Sequence, residues 1–353
     1  MKKLKIAVVG TGSISHSHIQ AYLKNENAEL YAFCDINEKV LAAAGKKYGV
    51  TRLFTDEAEM LRALPEIDAV SVCTWNSAHA PCTIMAFEAG KDVLCEKPMA
   101  LNAQEAQAML DTARRCGRKL MVGFVRRFGN DTAVMQDFIK DGALGEIYYA
   151  KATYLRRNGN PGGWFGDKSR SGGGPLIDLG VHVIDLTRYL MGNPKPVSVY
   201  GATFRKLGNR KELKDGASYT SVSKSENDIC DVEDFAAALV RYGSGAVLSV
   251  ETSFCLNLKH DIGKIELFGT RGGMSLDPEL EIYTDCCGYL TDVTLHRSTA
   301  LSFDGLFEKE IDYFVDAAVN GKDLSSIAED GVMLMKILDA IYKSAETKRE
   351  VRI

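Results

Sequence analysis

Two short segments far apart in the chain carry the groups needed to take a proton from a secondary alcohol while its hydride leaves. The first is Glu96-Lys97-Pro98, which follows the apolar run Asp92–Cys95. The second is Asp178-Leu-Gly-Val-His182, set in an amphipathic pattern opened by Gly172-Gly173-Gly174. A lysine ammonium stabilises a developing alkoxide, or polarises a carbonyl in the reverse direction. An imidazole titrating near neutrality suits acceptance of the hydroxyl proton. Asp178 and His182 are four residues apart, so on an α-helix they share one face. There the carboxylate can orient a substrate or raise the basicity of the imidazole. The bland readings are a salt bridge for Lys97 and a capping or core pair for Asp178 and His182.

A place for the hydride acceptor stands at the start of the chain. Gly10-Thr11-Gly12-Ser13-Ile14-Ser15 follows a strand-like run and opens a helical pattern. Glycines there allow a tight turn and close approach to a pyrophosphate, which a helix N-terminus favours. Asp35 ends the second strand-like run, about 20 residues past the turn. A carboxylate at that place takes ribose hydroxyls and repels a 2′-phosphate, so NAD is expected over NADP. Thr74, Trp75, Asn76 and His79 follow the fourth strand, and Glu96 and Lys97 the fifth. Loops after strand C-termini line the ligand crevice of a doubly wound sheet. Thr74, Asn76, His79, Glu96 and Lys97 are therefore expected on the cofactor, beside Gly10, Gly12, Ser13, Ile14 and Asp35. His16 and His18 read as surface or packing residues rather than metal ligands.

These groups need two domains to hold them, and 353 residues suffice for two cores. Through residue 125 apolar strands alternate with helices, the pattern of a parallel sheet covered on both faces. From 126 onward the pattern changes. A helix over Phe128–Lys140 and a strand over Glu146–Leu155 lead to a Gly-rich loop and a helix over Leu176–Met191. Long β segments follow: Val197–Phe204, Asp231–Tyr242, Ala246–Phe254 and Lys264–Phe268. They suggest a largely antiparallel sheet. Helices over Phe303–Asn320 and Ala328–Thr347 finish the chain and are expected to pack back on the first domain. Lys206–Asp228 reads as a mobile polar insertion.

The loop Arg156–Phe165 holds further candidates. Trp164 can stack on a sugar ring or cover the nicotinamide. Arg156, Arg157 and Arg170 can hold an acidic substrate or form ordinary loop salt bridges, and Arg127 is equally open. The net charge of −4 gives no hint of a nucleic-acid footprint, which needs a clustered basic face. No apolar stretch approaches the roughly 20 residues of a membrane span. The nine cysteines lack paired metal spacing, and Cys34, Cys73 and Cys95 sit in apolar strands as reduced thiols. A cytoplasmic protein and metal-free chemistry are expected.

With these motifs the chain resembles the glucose–fructose oxidoreductase/inositol dehydrogenase/rhizopine catabolism (Gfo/Idh/MocA) family over essentially its whole length. The resemblance rests on Val93-Leu-Cys-Glu96-Lys97-Pro98, on Gly172-Gly-Gly-Pro-Leu-Ile-Asp178-Leu-Gly-Val-His182 and on Ser344-Ala-Glu-Thr-Lys-Arg-Glu-Val351. It implies an α/β protein with an N-terminal Rossmann domain and a C-terminal domain built on a large, open, mostly antiparallel sheet. It implies oxidation of sugars, polyols or inositols with a pyridine nucleotide. In the inositol dehydrogenase branch a Lys, Asp and His act together, and they map onto Lys97, Asp178 and His182, the His as general base. A homodimer or homotetramer paired through exposed sheets is also implied. Trp75 stands where the family usually has Pro, and Ser15 where it has Gly or Ala. The same fold hosts redox-neutral NAD-dependent glycosidases and lyases and cofactor-binding regulators, so fold alone does not settle function.

Overall fold

A computed structural model describes residues 3–208, 210, 212–215, 219–276, 279–296 and 305–353. The chain divides into two compact units: Met1–Val125 with Asp304–Met335, and Arg126–Phe303 with Lys336–Ile353.

The first unit alternates β1 (Leu4–Val9), α1 (Ser15–Lys24), β2 (Ala28–Cys34), α2 (Glu38–Tyr48), β3 (Leu53–Phe54), α3 (Glu57–Ala63), β4 (Ala69–Val72), α4 (Asn76–Glu88), β5 (Asp92–Glu96), α5 (Ala103–Cys116) and β6 (Leu120–Gly123). Among the described residues these strands make one six-stranded parallel sheet in the order β3-β2-β1-β4-β5-β6. Strands β4 and β6 are buried along their whole length, as is β5 from Val93 onward. That uninterrupted burial is why their sequence reads as continuous apolar runs rather than alternation. The order reverses between β1 and β4, which opens the crevice where such sheets bind ligands. Helix α5 begins with a reciprocal cap. Asn102 accepts from the Glu105 N–H, and Glu105 accepts from the Leu101 N–H and from Asn102 Nδ2. The cap fixes the chain as it leaves the turn carrying Lys97.

The second unit contains α6 (Asn130–Lys140), β7 (Ile147–Leu155), α7 (Lys168–Ser171), a π-helical turn over Leu176–Gly180 and α8 (Val181–Leu190). The strands β8 (Pro196–Phe204), β9 (Phe235–Tyr242), β10 (Val247–Ser253), β11 (Ile262–Gly269), β12 (Gly272–Leu276), β13 (Leu280–Cys286) and β14 (Tyr289–Val293) follow. The chain closes with α9 (Leu306–Asn320), α10 (Ser325–Thr347) and β15 (Val351–Arg352). The described strands form a nine-stranded sheet, β14-β13-β12-β11-β7-β10-β9-β8-β15, antiparallel except for the β7–β10 pair. One face is packed, with α8 against β7 and β11. Ala236, Ala238, Val240 and Tyr242 of β9 are buried, and Leu239 and Arg241 between them are exposed. The open face also carries exposed Tyr200 and Phe204. Helix α9 belongs to the first unit, where it packs on α1 and buries Leu306, Ile311 and Phe314. No described helix is long and apolar enough to cross a membrane.

Several boundaries differ from the sequence reading for local reasons. The strand expected from Asp231 starts at Phe235, because Asp234 is spent as an anchor. One of its carboxylate oxygens accepts from the backbone N–H groups of Lys206 (2.6 Å), Leu207 and Gly208 (3.0 Å). The polar insertion is tied down where it is described. Ser221 N–H bonds the Pro161 carbonyl at 2.9 Å, and Asp228 accepts from the Gly163 N–H. Residues 209, 211 and 216–218 of that insertion, and Phe303 and Asp304 of the expected last-but-one helix, lie outside the described residues.

Glu57, in the first turn of α3, is buried, and neither carboxylate oxygen has a hydrogen-bond partner among the described residues. Burial, opposed by the neighbouring Cys82 thiol and reinforced by the Asp56 charge, pushes its pKa up to about 7 from the ordinary 4.5. The folded chain therefore holds a proton that the unfolded chain releases, and stability falls as pH rises through that window. Glu57→Gln is expected to stabilise the protein by roughly 1–3 kcal/mol above about pH 8 and to be nearly neutral below about pH 4.5. Thermal unfolding at the two pH values measures this. An equal effect at both would refute the assignment.

Candidate active site

The turn after β1 has the shape a dinucleotide requires. Gly10 sits at φ +84°, and a Cβ there would lie 2.6 Å from the Cys73 carbonyl oxygen. Only glycine lets the turn pass so close to the end of β4. A Cβ at Gly12 would meet no heavy atom within 4 Å, which leaves that backbone open to a ligand. Ser13 and Ile14 are exposed at the start of α1. Ser15, in place of the usual third glycine, is buried, and its hydroxyl donates to the Gly12 carbonyl at 2.7 Å. Its small side chain thus closes the turn from within. Asp35 Oδ2 accepts from Thr11 N–H (2.7 Å) and Thr11 Oγ1 (3.0 Å), and Oδ1 from Asn37 N–H (2.8 Å). The carboxylate fixes the glycine turn and keeps lone pairs for ribose hydroxyls. An open glycine backbone at a helix start with an anchored carboxylate at the end of β2 fits NAD.

The loops after β4 and β5 are linked by a buried imidazole. His79 is 1% exposed; one ring nitrogen lies 2.7 Å from the Pro98 carbonyl and the other 3.2 Å from that of Thr74. With its pKa held below the usual value by burial, the neutral ring carries one N–H and donates it to one of these two carbonyls. Thr74 and Trp75 are half-buried and Asn76 is buried at the start of α4. Glu96 is also buried and likewise turned inward. It lies 2.7 Å from His18 Nε2 and accepts from the Lys97 N–H at 3.0 Å. Lys97 is half-exposed between buried Glu96 and buried Pro98, and the peptide joining it to Pro98 is cis.

In the second unit every residue from Gly173 to Arg188 is buried apart from Asp178 and His182, which remain half-exposed. The π-helical turn corrects the expectation of one regular helix. Asp178 lies in a wider turn and α8 begins only at Val181; such turns recur at functional sites. Glycine spacing explains the approach to it. A Cβ at Gly173 would collide with the Tyr342 hydroxyl, and one at Gly174 with the Glu233 carbonyl. The Glu233 carboxylate accepts from Gly174 N–H (3.0 Å), Leu176 N–H (3.2 Å) and Tyr342 Oη (2.9 Å). It caps the segment that presents Asp178. Neither Glu233 nor Tyr342 stood out in the sequence, since each pairs only with distant residues.

The weaker candidates have other work. Arg127 is a buried structural cation. Its guanidinium grips Asp185 through Nε (2.9 Å) and Nη2 (2.5 Å) and lies 4.6 Å from the Tyr189 ring centre. Of the two readings of Arg127, this is the salt bridge. Arg157 N–H bonds Asp261 at 2.8 Å and its guanidinium the Lys259 carbonyl at 3.3 Å, and the residue lines a cleft of about 680 Å³ with Asn158, Arg210 and Asn257. Trp164 stacks on Phe165 at 4.0 Å, so at least one ring face is taken. Arg170 pairs with Asp167.

Residues 4–124 match the model of an oxidoreductase family with an NAD-binding Rossmann fold, and residues 132–275 that of the GFO/IDH/MocA C-terminal domain. The chain is 35% identical to the D-glucoside 3-dehydrogenase of Escherichia coli (strain K12), over 99% of this chain and 97% of that protein. It is 28% identical to the myo-inositol 2-dehydrogenase of Thermotoga maritima, over 99% and 98%. The structure of a levoglucosan dehydrogenase in complex with NADH matches with a TM-score of 0.85 at 26% identity, covering 100% of this chain and 99% of that one. The chain belongs to the Gfo/Idh/MocA family of oxidoreductases, and its first unit is an NAD-binding Rossmann domain.

Asp35→Ala is expected to weaken NADH binding roughly 10- to 100-fold, with the loss smaller for NADPH. Fluorescence titration reads both, and unchanged NADH affinity would remove Asp35 from the site. Asp185→Ala leaves Arg127 buried without its carboxylate and should cost about 3–5 kcal/mol in urea unfolding. A loss of less than 1 kcal/mol there, together with a raised KM, would return Arg127 to the substrate contacts.

Proposed function

We propose that this member of the family is an NAD-dependent dehydrogenase that oxidises a ring hydroxyl of a pyranose sugar, glycoside or cyclic polyol to the ketone. One observation carries the reading. Lys97, Asp178 and His182 are polar side chains that keep solvent access from within otherwise buried stretches of backbone. Side chains placed in this way can be met by a ligand from solvent. In the first unit, moreover, the Gly10 turn, the Thr74 loop and Lys97 follow the ends of β1, β4 and β5, which are neighbours in the sheet.

The roles follow from the residue types. A ring nitrogen of His182 takes the proton of the substrate hydroxyl as the carbinol hydrogen departs as hydride. The Asp178 carboxylate orients the hydroxyl and favours the imidazolium that forms. The Lys97 ammonium stabilises the developing alkoxide. Bound NAD supplies the acceptor for the hydride. The 35% identity to a D-glucoside 3-dehydrogenase supports a glucoside as substrate, with the hydroxyl at C3 as the reacting group. The exposed Tyr200, Phe204 and Leu239 on the open sheet face support a homo-oligomer built on that face.

NADH absorbance, followed with D-glucosides, free hexoses, inositols and levoglucosan, tests the reading. Formation of NADH is expected with D-glucosides. His182→Ala and Lys97→Met should each lower kcat about 10²- to 10⁴-fold while leaving NADH affinity nearly intact. A flat signal with every alcohol, in protein shown to bind NADH, would overturn the dehydrogenase reading. Full turnover in both variants would overturn the residue roles.

A further inference from the structure

A chain of buried ionisable groups lies beneath Lys97 within the first unit. His18 of α1 is 0% exposed, with Nε2 2.7 Å from Glu96 and Nδ1 3.0 Å from Ser71 Oγ on β4. The second Glu96 oxygen accepts from the Lys97 backbone N–H. Glu310 of α9 is also 0% exposed, and neither of its carboxyl oxygens has a hydrogen-bond partner among the described residues. It faces His18, Glu96 and Tyr22 where α9 packs on α1. Cys73 borders His18 and Tyr22, and His79 and Lys97 are the other charged or titratable groups around Glu96. Two carboxyl groups and an imidazole are costly to bury where apolar side chains would fill the same space.

The charges settle one another. Burial alone would push His18 down, but Cys73 and the Glu96 carboxylate facing it bring it well above the usual imidazole range. Glu96 stays low despite its burial, through the His18 hydrogen bond and charge and the Lys97 charge. Burial pushes Glu310 up to about 8, against the pull of His18 and with the help of Glu96. At neutral pH the cluster therefore holds one imidazolium, one carboxylate and one neutral acid.

We propose that His18 and Glu310 are positioning residues for Lys97, acting through the Glu96 carboxylate that binds the Lys97 backbone N–H. The inference rests on Lys97 being the residue that stabilises the alkoxide. His18 fixes the carboxylate from below, and the carboxylate fixes the turn from which the lysine side chain departs. Neutral Glu310 leaves Glu96 as the one negative group against His18. When Glu310 ionises, two carboxylates compete for a single imidazolium, and the turn loosens. Turnover then declines on the alkaline side as Glu310 loses its proton.

The test compares Glu310→Gln, His18→Leu, His18→Gln and Lys97→Met with the wild type. It reads kcat against pH, NADH affinity, the Lys97 amide resonance and glutamate carboxyl ¹³C shifts. Glu310→Gln should delete a carboxyl titration near pH 8 and flatten the matching alkaline limb of kcat. His18→Leu should lower kcat on the order of 10- to 100-fold with NADH affinity retained. His18→Gln, which still donates to Glu96, should recover most of that loss. Intact turnover in Lys97→Met would overturn the role of Lys97 itself. A dead Lys97→Met alongside wild-type kcat, pH profile and amide shift in the His18 and Glu310 variants would overturn this inference alone. Should His18→Leu not fold, Glu310→Gln and His18→Gln decide the matter through the pH profile and the amide shift.

Discussion

A carboxylate sealed inside the first unit determines how β5 can end. Glu96 is the last residue of that strand, and its side chain turns back into the protein to meet His18 while its neighbour turns outward. The chain could reverse there with any polar residue, but a buried anion fixes both the strand end and the backbone N–H that follows. The surroundings serve that constraint. His79 ties Thr74 to Pro98, the Asn102–Glu105 cap fixes the exit, and Gly331 of α10 allows Met99 to approach to 2.8 Å of where a Cβ would stand. The Lys97 side chain is thus mounted on a corner that buried contacts hold in place.

The second unit solves the same problem by different means. Asp178 and His182 depend on glycine contacts and on Glu233, which takes the orphan N–H groups ahead of α8. Burial raises the Glu233 pKa even though those N–H groups and Tyr342 favour its ionised form. The π-helical turn then sets the angular offset between Asp178 and His182. A strictly α-helical segment would place the two side chains differently relative to the sheet beneath them.

What the sequence made legible was local. Gly10, Gly12, Asp35, Lys97, Asp178 and His182 announce themselves by residue type and short spacing, and the parallel sheet by its unbroken apolar strands. What it hid was pairing at a distance. Arg127 reads equally as a substrate contact or a salt-bridge partner until Asp185, 58 positions on, is found beside it. His18 reads as a surface or packing residue until Glu96, 78 positions on, is found hydrogen-bonded to it. His79 reads as a ligand contact because its loop is at the right place, and its buried ring is found within reach of the Thr74 and Pro98 carbonyls. Nothing in a single sequence records which way a side chain points when the neighbours that decide it come from other elements.

The anchoring of the segment after β8 has a consequence for the loop that follows it. Asp234 holds Lys206, Leu207 and Gly208 beside the first residues of β9, so the ends of the intervening loop are pinned together by one side chain. The entropy of closing a longer or shorter loop between fixed ends changes only slowly with length. The start of β9 is therefore held by Asp234 independently of the length of the stretch that follows Gly208. Its residues Arg210 and Asp215, together with Arg157, border the polar cleft. The Asp234 anchor thus sets a loop that borders the cleft beside a strand end that is fixed separately.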